Sequence, residues 1–247
     1  MFWTAASLLF WGFMLATSIL LFPLAAILRI TTQPFDRRLV LLHRFTCFWG
    51  SLYTWCNPFW SVQIQGRDRL QSNGAVILIA NHQSFVDILV LFRLFAHFKW
   101  VSKVENFRAP LIGWNMSLNR YIPIARGTIK GNLQMMRACE EALRTGNSLM
   151  MFPEGTRSPD GKMRPFKDGA FELALRTQSP ILPLVIHGTA HALPKRGILL
   201  RERCQMTLRV LPPIPYSSFS TMSARELNHL VWHTMEAAIG NQDQTPP

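Results

Sequence analysis

Residues 1 to 28, "MFWTAASLLFWGFMLATSILLFPLAAIL", contain no charged side chain, and no other feature narrows the possible folds as much. About twenty apolar residues in a helix suffice to cross the hydrocarbon core of a bilayer, so this run is long enough. The competing reading, a core helix of a soluble bundle, fits so long an uncharged run less well. Pro23 predicts a kink or stop near its end. No basic segment precedes the run and no small-residue cleavage site follows it, which argues against a removable signal peptide. Arg29, Arg37, Arg38 and Arg44 come next, and they place the downstream side in the cytoplasm if the run spans. The following stretch, "RRLVLLHRFTCFWGSLYTWCNPFW", is aromatic and helix-like up to Pro58. Two arrangements stay open: a spanning helix with an interfacial one behind it, or a hairpin dipping into one leaflet. Residues 1–60 therefore read as a two-helix membrane anchor, and 61–247 as the domain it carries.

Hydrophobic residues make up 49% of the chain against 16% charged, and 26 Lys and Arg against 14 Asp and Glu give a formal charge of +12. That excess suits an anionic partner. The aromatic residues cluster in the apolar N-terminus rather than among the basic residues, which favours an anionic membrane surface and argues against nucleic acid. Cys47, Cys56, Cys139 and Cys204 form no CxxC pair and read as reduced thiols. Of two His pairs at i, i+4, "HGTAH" (His187, His191) contains a Gly and turns. "HLVWH" (His229, His233) faces one way on a helix but lacks a third ligand, so no metal site is expected.

From residue 62 short runs rich in Val, Ile and Leu alternate with helix-like stretches. Strands are expected at 62–65, 75–80, 99–102, 121–125, 148–152, 181–187 and 205–211. Helices are expected at 84–95, 110–118, 130–145, 168–177 and 223–239. This alternation implies an α/β domain with a central, mainly parallel sheet flanked by helices. The tail "GNQDQTPP" is polar and of low complexity.

Two groups stand directly after apolar strands. "NHQSFVD" (81–87) follows "AVILIA". Five positions along a regular helix amount to about 500° of rotation, so His82 and Asp87 can meet only if His82 lies on the loop and Asp87 in the helix's first turn. Ser84 offers that break, since "SFVD" has the S-x-x-D capping pattern. Asp87 as a plain helix cap and Asp87 as the partner of a general base are both open on this pair alone. Ser84 lacks the G-x-S-x-G surroundings of a nucleophile elbow. "FPEGTRS" (152–158) is the second group: Pro153 and Gly155 force a turn that presents Glu154, Thr156 and Arg157. Arg157 offers a planar fork of donors suited to a phosphate, and Glu154 either fixes the loop or holds a cation in place. Lys103 and Arg126 follow two further strands. Ligand sites in parallel sheets gather beyond the carboxyl ends of strands, so these residues together form a cationic floor around a base.

The block "NHQSFVD" matches N-H-x4-D and "FPEGTRS" matches E-G-T-R of the glycerolipid acyltransferase family, which the chain resembles. Within that family it looks most like the 1-acyl-glycerol-3-phosphate acyltransferases of bacterial phospholipid synthesis. "YIPIARG", "PFKDGAF" and "ILPLVIHGT" add matches in the family's order over about residues 75 to 190. The resemblance implies acyl transfer from acyl-CoA or acyl carrier protein to the sn-2 hydroxyl of lysophosphatidate at the cytoplasmic membrane face. His82 would be the base and Asp87 its orienting partner. Lys103, Arg126 and Arg157 would hold the acceptor's phosphate, with Glu154, Gly155 and Thr156 shaping the substrate loop. It calls for no metal and no cofactor beyond the acyl thioester. A lysolipid acyltransferase for another headgroup, a lipid or thioester hydrolase using the same base on water, and a non-catalytic membrane adaptor are the alternatives.

Overall fold

The strands Ile77–Ala80 and Ile181–His187 carry almost nothing but branched and apolar side chains and are buried on both faces. Such strands can only be interior members of a sheet covered on both sides. The computed structural model describes residues 1–71, 74–195 and 197–240, and the polar tail beyond Gly240 lies outside the described residues. In chain order the elements are α1 (Phe2–Thr32), α2 (Val40–Trp55), β1 (Trp60–Gln65), β2 (Ile77–Ala80), α3 (Val86–Phe92), β3 (Phe98–Lys103), α4 (Ile112–Leu118), β4 (Ile122–Ile124), α5 (Ile129–Arg144), β5 (Ser148–Met151), α6 (Gly169–Thr177), β6 (Ile181–His187), α7 (Thr189–Ala192), β7 (Cys204–Val210) and α8 (Ala224–Gly240). The sheet runs β1-β7-β6-β2-β5-β3-β4. Every neighbouring pair is parallel except β6 with β7.

Alternate residues of the inner strands enter two cores. Leu78, Ala80, Met150 and Leu184 pack with α1, α2 and α3 on one face. Ile77, Ile79, Leu149 and Met151 pack with α5, α6 and α8 on the other. The adjacent strands β2 and β5 thus lead into helices on opposite faces, α3 and α6. Their carboxyl ends therefore part around an open crevice, the place where α/β sheets bind ligands.

α1 is long and apolar enough to cross a membrane, with mean hydropathy 2.1 over its most apolar window. It continues past Pro23 to Thr32, where the sequence predicts a kink or stop. A proline at that point removes one backbone hydrogen bond, and the buried Ala25 and Thr32 beyond it keep the last turns docked. The helix lies along the domain rather than projecting from it. Near its start, Trp11 Nε1 donates to Ile198 O (2.6 Å) and Ser7 Oγ accepts from Leu200 N (2.8 Å). Phe22 meets Trp114 of α4 midway, and Arg38, just after the helix, donates to Gly146 O (3.0 Å). Its outer stripe leaves Leu8, Leu15, Ile19, Leu20, Leu24, Ile27 and Ile30 exposed.

Candidate active site

The turn after β2 is built around one carboxylate. Asp87 is fully buried, and its Oδ2 accepts from Gln83 N (2.6 Å), Ser84 N (2.8 Å) and His82 Nδ1 (2.8 Å). Thr189 Oγ1 donates to the other oxygen, Oδ1. The cap and the ion-pair partner are therefore the same group. Because a carboxylate oxygen can only accept, His82 Nδ1 carries the proton and Nε2 keeps its lone pair. Among the described residues nothing in the protein hydrogen-bonds Nε2, and the His82 side chain is 15% exposed. Ser84, by contrast, is sealed in: its Oγ donates to Leu193 O (2.6 Å) and accepts from Val86 N (3.2 Å). α3 begins at Val86, so Ser84 lies in the turn before the helix and caps the amide of its first residue. Its hydroxyl is fully buried and committed, which removes it as a nucleophile.

The turn after β5 is tied to this one by two bonds to the His82 backbone. Glu154 Oε1 accepts from His82 N (2.8 Å), and Ser158 N donates to His82 O (2.8 Å). Glu154 Oε2 accepts from Arg164 N (3.2 Å), and the residue is only 4% exposed. Of the two roles open to Glu154 in the sequence, its contacts are those of loop fixing. Burial pushes its carboxyl up to about 7, against the pull of those two amide donors and with a smaller push from Asp87. Phe152 stacks on the His82 ring at 4.0 Å, and Trp100 stacks on Phe152 at 5.6 Å, so the imidazole plane is backed by aromatic surface. Gly155 adopts φ +71°, and a Cβ there would press on the Lys167 side chain at 3.2 Å. The left-handed φ is what calls for glycine, since the flexible end of Lys167 could move aside.

The remaining sequence-derived residues stand on the same carboxyl edge. Lys103 ends β3 and is exposed. Arg126 follows β4, and its guanidinium donates to Gly155 O, so it braces the β5 turn with further N–H groups in hand. Thr156 and Arg157 are half-buried and make no hydrogen bond to other groups among the described residues. Sequence reasoning did not single out Thr189, Gln83, Phe152, Trp100 or Lys167. Gln83 links the two sides of the crevice: it donates to Gly161 O (2.8 Å), and its Oε1 lies 3.3 Å from Thr189 Oγ1, whose one proton goes to Asp87. Four of these residues, Gln83, Phe152, Lys167 and Thr189, lie inside the recognised sequence blocks, but their contacts cross the fold. No group of three or more His, Cys, Asp or Glu among the described residues is placed to hold a metal.

A profile of the Acyltransferase family matches residues 61–187, a little over half the chain and all the turns just described. A chloroplastic 1-acyl-sn-glycerol-3-phosphate acyltransferase of Brassica napus is 38% identical over 70% of this chain and 52% of its own length. The corresponding enzyme of Chlamydomonas reinhardtii is 36% identical over 82% of this chain and 61% of its own. The chain thus spans about half to three-fifths of the length of these relatives. The crystal structure of PlsC, a 1-acyl-sn-glycerophosphate acyltransferase from Thermotoga maritima, aligns over 99% of both chains. Its TM-score is 0.80 at 22% identity, a likeness of fold. By the match across residues 61–187, the chain belongs to the Acyltransferase family.

Proposed function

We propose that the chain transfers an acyl group from a thioester, acyl-CoA or acyl carrier protein, to the sn-2 hydroxyl of 1-acyl-glycerol-3-phosphate, giving phosphatidic acid. One observation carries the reading: His82 presents an unengaged Nε2 while Asp87, held by three other donors, fixes the opposite nitrogen. Nε2 takes the acceptor's hydroxyl proton as its oxygen attacks the thioester carbonyl. The same nitrogen returns the proton to the departing thiolate, while Asp87 stabilises the imidazolium without taking the proton itself. Arg157, Lys103 and Arg126 are the donors for the acceptor's phosphate, and Glu154 and Gly155 hold the Arg157 turn against the His82 turn. The names of the relatives support this acceptor. α1, docked lengthwise with an apolar outer stripe, supports a membrane-bound enzyme whose edge the one-chain acceptor reaches without leaving the lipid.

The test is turnover by the purified chain in mixed micelles with lysophosphatidate and a panel of acyl donors. His82→Ala should lose at least the ~10²–10⁴-fold typical of a general base without unfolding. Arg157→Ala should raise KM for lysophosphatidate more than for a zwitterionic lysolipid. Rapid thioester cleavage with no lysolipid present would instead identify a hydrolase.

A further inference from the structure

A cavity of about 270 Å³ lies at the far end of α1, lined by Arg29, Gln33, Asp36, Arg37, Leu39 and Arg120. It is not part of the active edge. Neighbouring Lys99 opens β3, whereas the catalytic groups follow the carboxyl ends of β2 and β5, and all three strands are parallel. Three of the lining residues are arginines, and among the described residues none of the three makes an ion pair. Arg29 donates only to the neutral Gln33 Oε1 (3.2 Å). The one carboxylate present is already used: Asp36 accepts Val40 N and Leu41 N (both 2.8 Å) at the start of α2.

Two more cations stand close by. Lys99, 5% exposed, donates to Arg38 O and Asn119 O (both 2.9 Å), which ties the α1–α2 turn to the segment carrying Arg120. Its ammonium is drawn down to about 8, first by burial; Asp36 opposes the change, while Arg120, Arg29 and Arg38 add to it. Like charges gathered around a single occupied carboxylate repel one another, and an added anion would relieve that repulsion. Leu39 and Arg120, both on the cavity wall, adopt left-handed backbone angles (φ 63° and 52°) that non-glycine residues seldom take. The surrounding packing holds the two walls in place.

The apolar surroundings define the anion further. Ile30 and Phe35, next to Arg29 and Asp36 in the chain, are 70% and 71% exposed, and the outer stripe of α1 ends here. A free phosphate would use the arginines alone, whereas a phospholipid would use the arginines for its headgroup and the stripe for its chains. We propose that this cavity is a binding site for the phosphate of an anionic membrane phospholipid, separate from the site of the acyl acceptor. It fixes the end of α1 that lies away from the active edge. The site stands on its own, whatever reaction the His82 edge performs.

The experiment uses the full chain and vesicles of phosphatidylcholine with or without phosphatidylglycerol, read by co-flotation. Replacing Arg29, Arg37 and Arg120 together by Gln should reduce the preference for anionic vesicles at least tenfold more than replacing Lys130, Arg137 and Arg225, an equal charge on α5 and α8. Equal losses would show bulk charge attraction only and overturn the site. Arg37→Gln alone, at an exposed turn position, should weaken the preference about fivefold, in line with a contribution near 1 kcal/mol per cation at an anionic surface. An unchanged preference in this variant overturns the proposal even if the triple variant unfolds. Short-chain phosphatidylglycerol below its micellar concentration should bind at least tenfold more tightly than inorganic phosphate. Equal binding of the two would make the occupant a free anion and overturn the lipid assignment. These readouts contain no turnover, so they succeed or fail independently of the acyltransferase reading.

Discussion

Asp87 answers a question that its local sequence leaves open. The S-x-x-D pattern before α3 is satisfied in part, since Asp87 accepts the Ser84 amide, yet the same oxygen also holds His82. A cap and an ion-pair partner coincide because the turn brings the backbone amides and the imidazole to one side of the carboxylate. The pair was legible because it is local, five residues apart along the chain. Thr189, which completes the carboxylate's shell, is 102 residues away and reaches it only because β6 lies beside β2. The left-handed Gly188 (φ +85°) turns the chain so that this contact forms, and a Cβ there would strike Gln205 O at 2.2 Å. Thr189→Val should leave a buried carboxylate oxygen without a donor, which costs about 1–3 kcal/mol in ground-state stability. The carboxylate would then hold His82 less firmly, so kcat should fall about tenfold with little change in KM, while Thr189→Ser restores it. A kcat unchanged in Thr189→Val would show that Thr189 does no more than pack.

At the level of elements, the strands were legible because the inner ones are covered on both faces and so read as unbroken apolar runs. β2, β5 and β6 lie where the sequence places them, to within about two residues at each end. What the runs could not reveal is their order and direction. Nothing within "CQMTLRV" shows that β7 lies antiparallel to β6 and parallel to β1, because that depends on partners found only after folding. The four-residue α7 is too short to announce itself by periodicity. The β5 turn shows how a loop is fixed from a distance. Both of its Glu154 oxygens are bound to backbone amides of other segments, a contact with a measurable pH signature. The folded carboxyl sits at about 7, above its ordinary 4.5, so ionisation is less favourable in the folded than in the unfolded chain. Its contribution to stability is therefore fully present below about pH 4.5 and declines as pH rises through 7. Relative to Glu154→Gln, wild-type unfolding free energy should fall by up to about 3 kcal/mol between pH 4 and pH 8. The fixed effect of the amide substitution cancels from that difference. Denaturant melts of both proteins across this range check it, and a difference independent of pH would mean that the carboxyl ionises as easily inside the fold as outside.

On the scale of the whole molecule, the N-terminal run makes a sharper demand than its length suggested. Sequence alone left spanning and lying in one leaflet equally open, since hydropathy counts residues and says nothing of what they dock against. In the fold α1 is bound to the α/β body near its start through Ser7 and Trp11, midway through Phe22, and just beyond its end through Arg38. A helix held at these points cannot cross the bilayer unless the polar domain enters the hydrocarbon with it, and burying that domain's charged groups would be prohibitively unfavourable. The helix should therefore lie along the membrane plane with its outer stripe in one leaflet. Leu8, Ile19 and Ile30 sit on that stripe at intervals of eleven residues, which return to nearly the same face of the helix, and all three are well exposed. Leu8 and Ile30 are separated by roughly 33 Å along the axis, about the full thickness of the hydrocarbon core. Cysteine-directed spin labels at the three positions, in a background lacking the exposed Cys56, should report similar depths when collision with oxygen is compared with collision with a water-soluble nickel chelate. A spanning helix would instead place the labels at 8 and 30 at opposite surfaces with 19 deepest. That graded profile would separate α1 from the body in the membrane and remove the lengthwise docking on which both the lipid approach to His82 and the phosphate site at Arg37 depend.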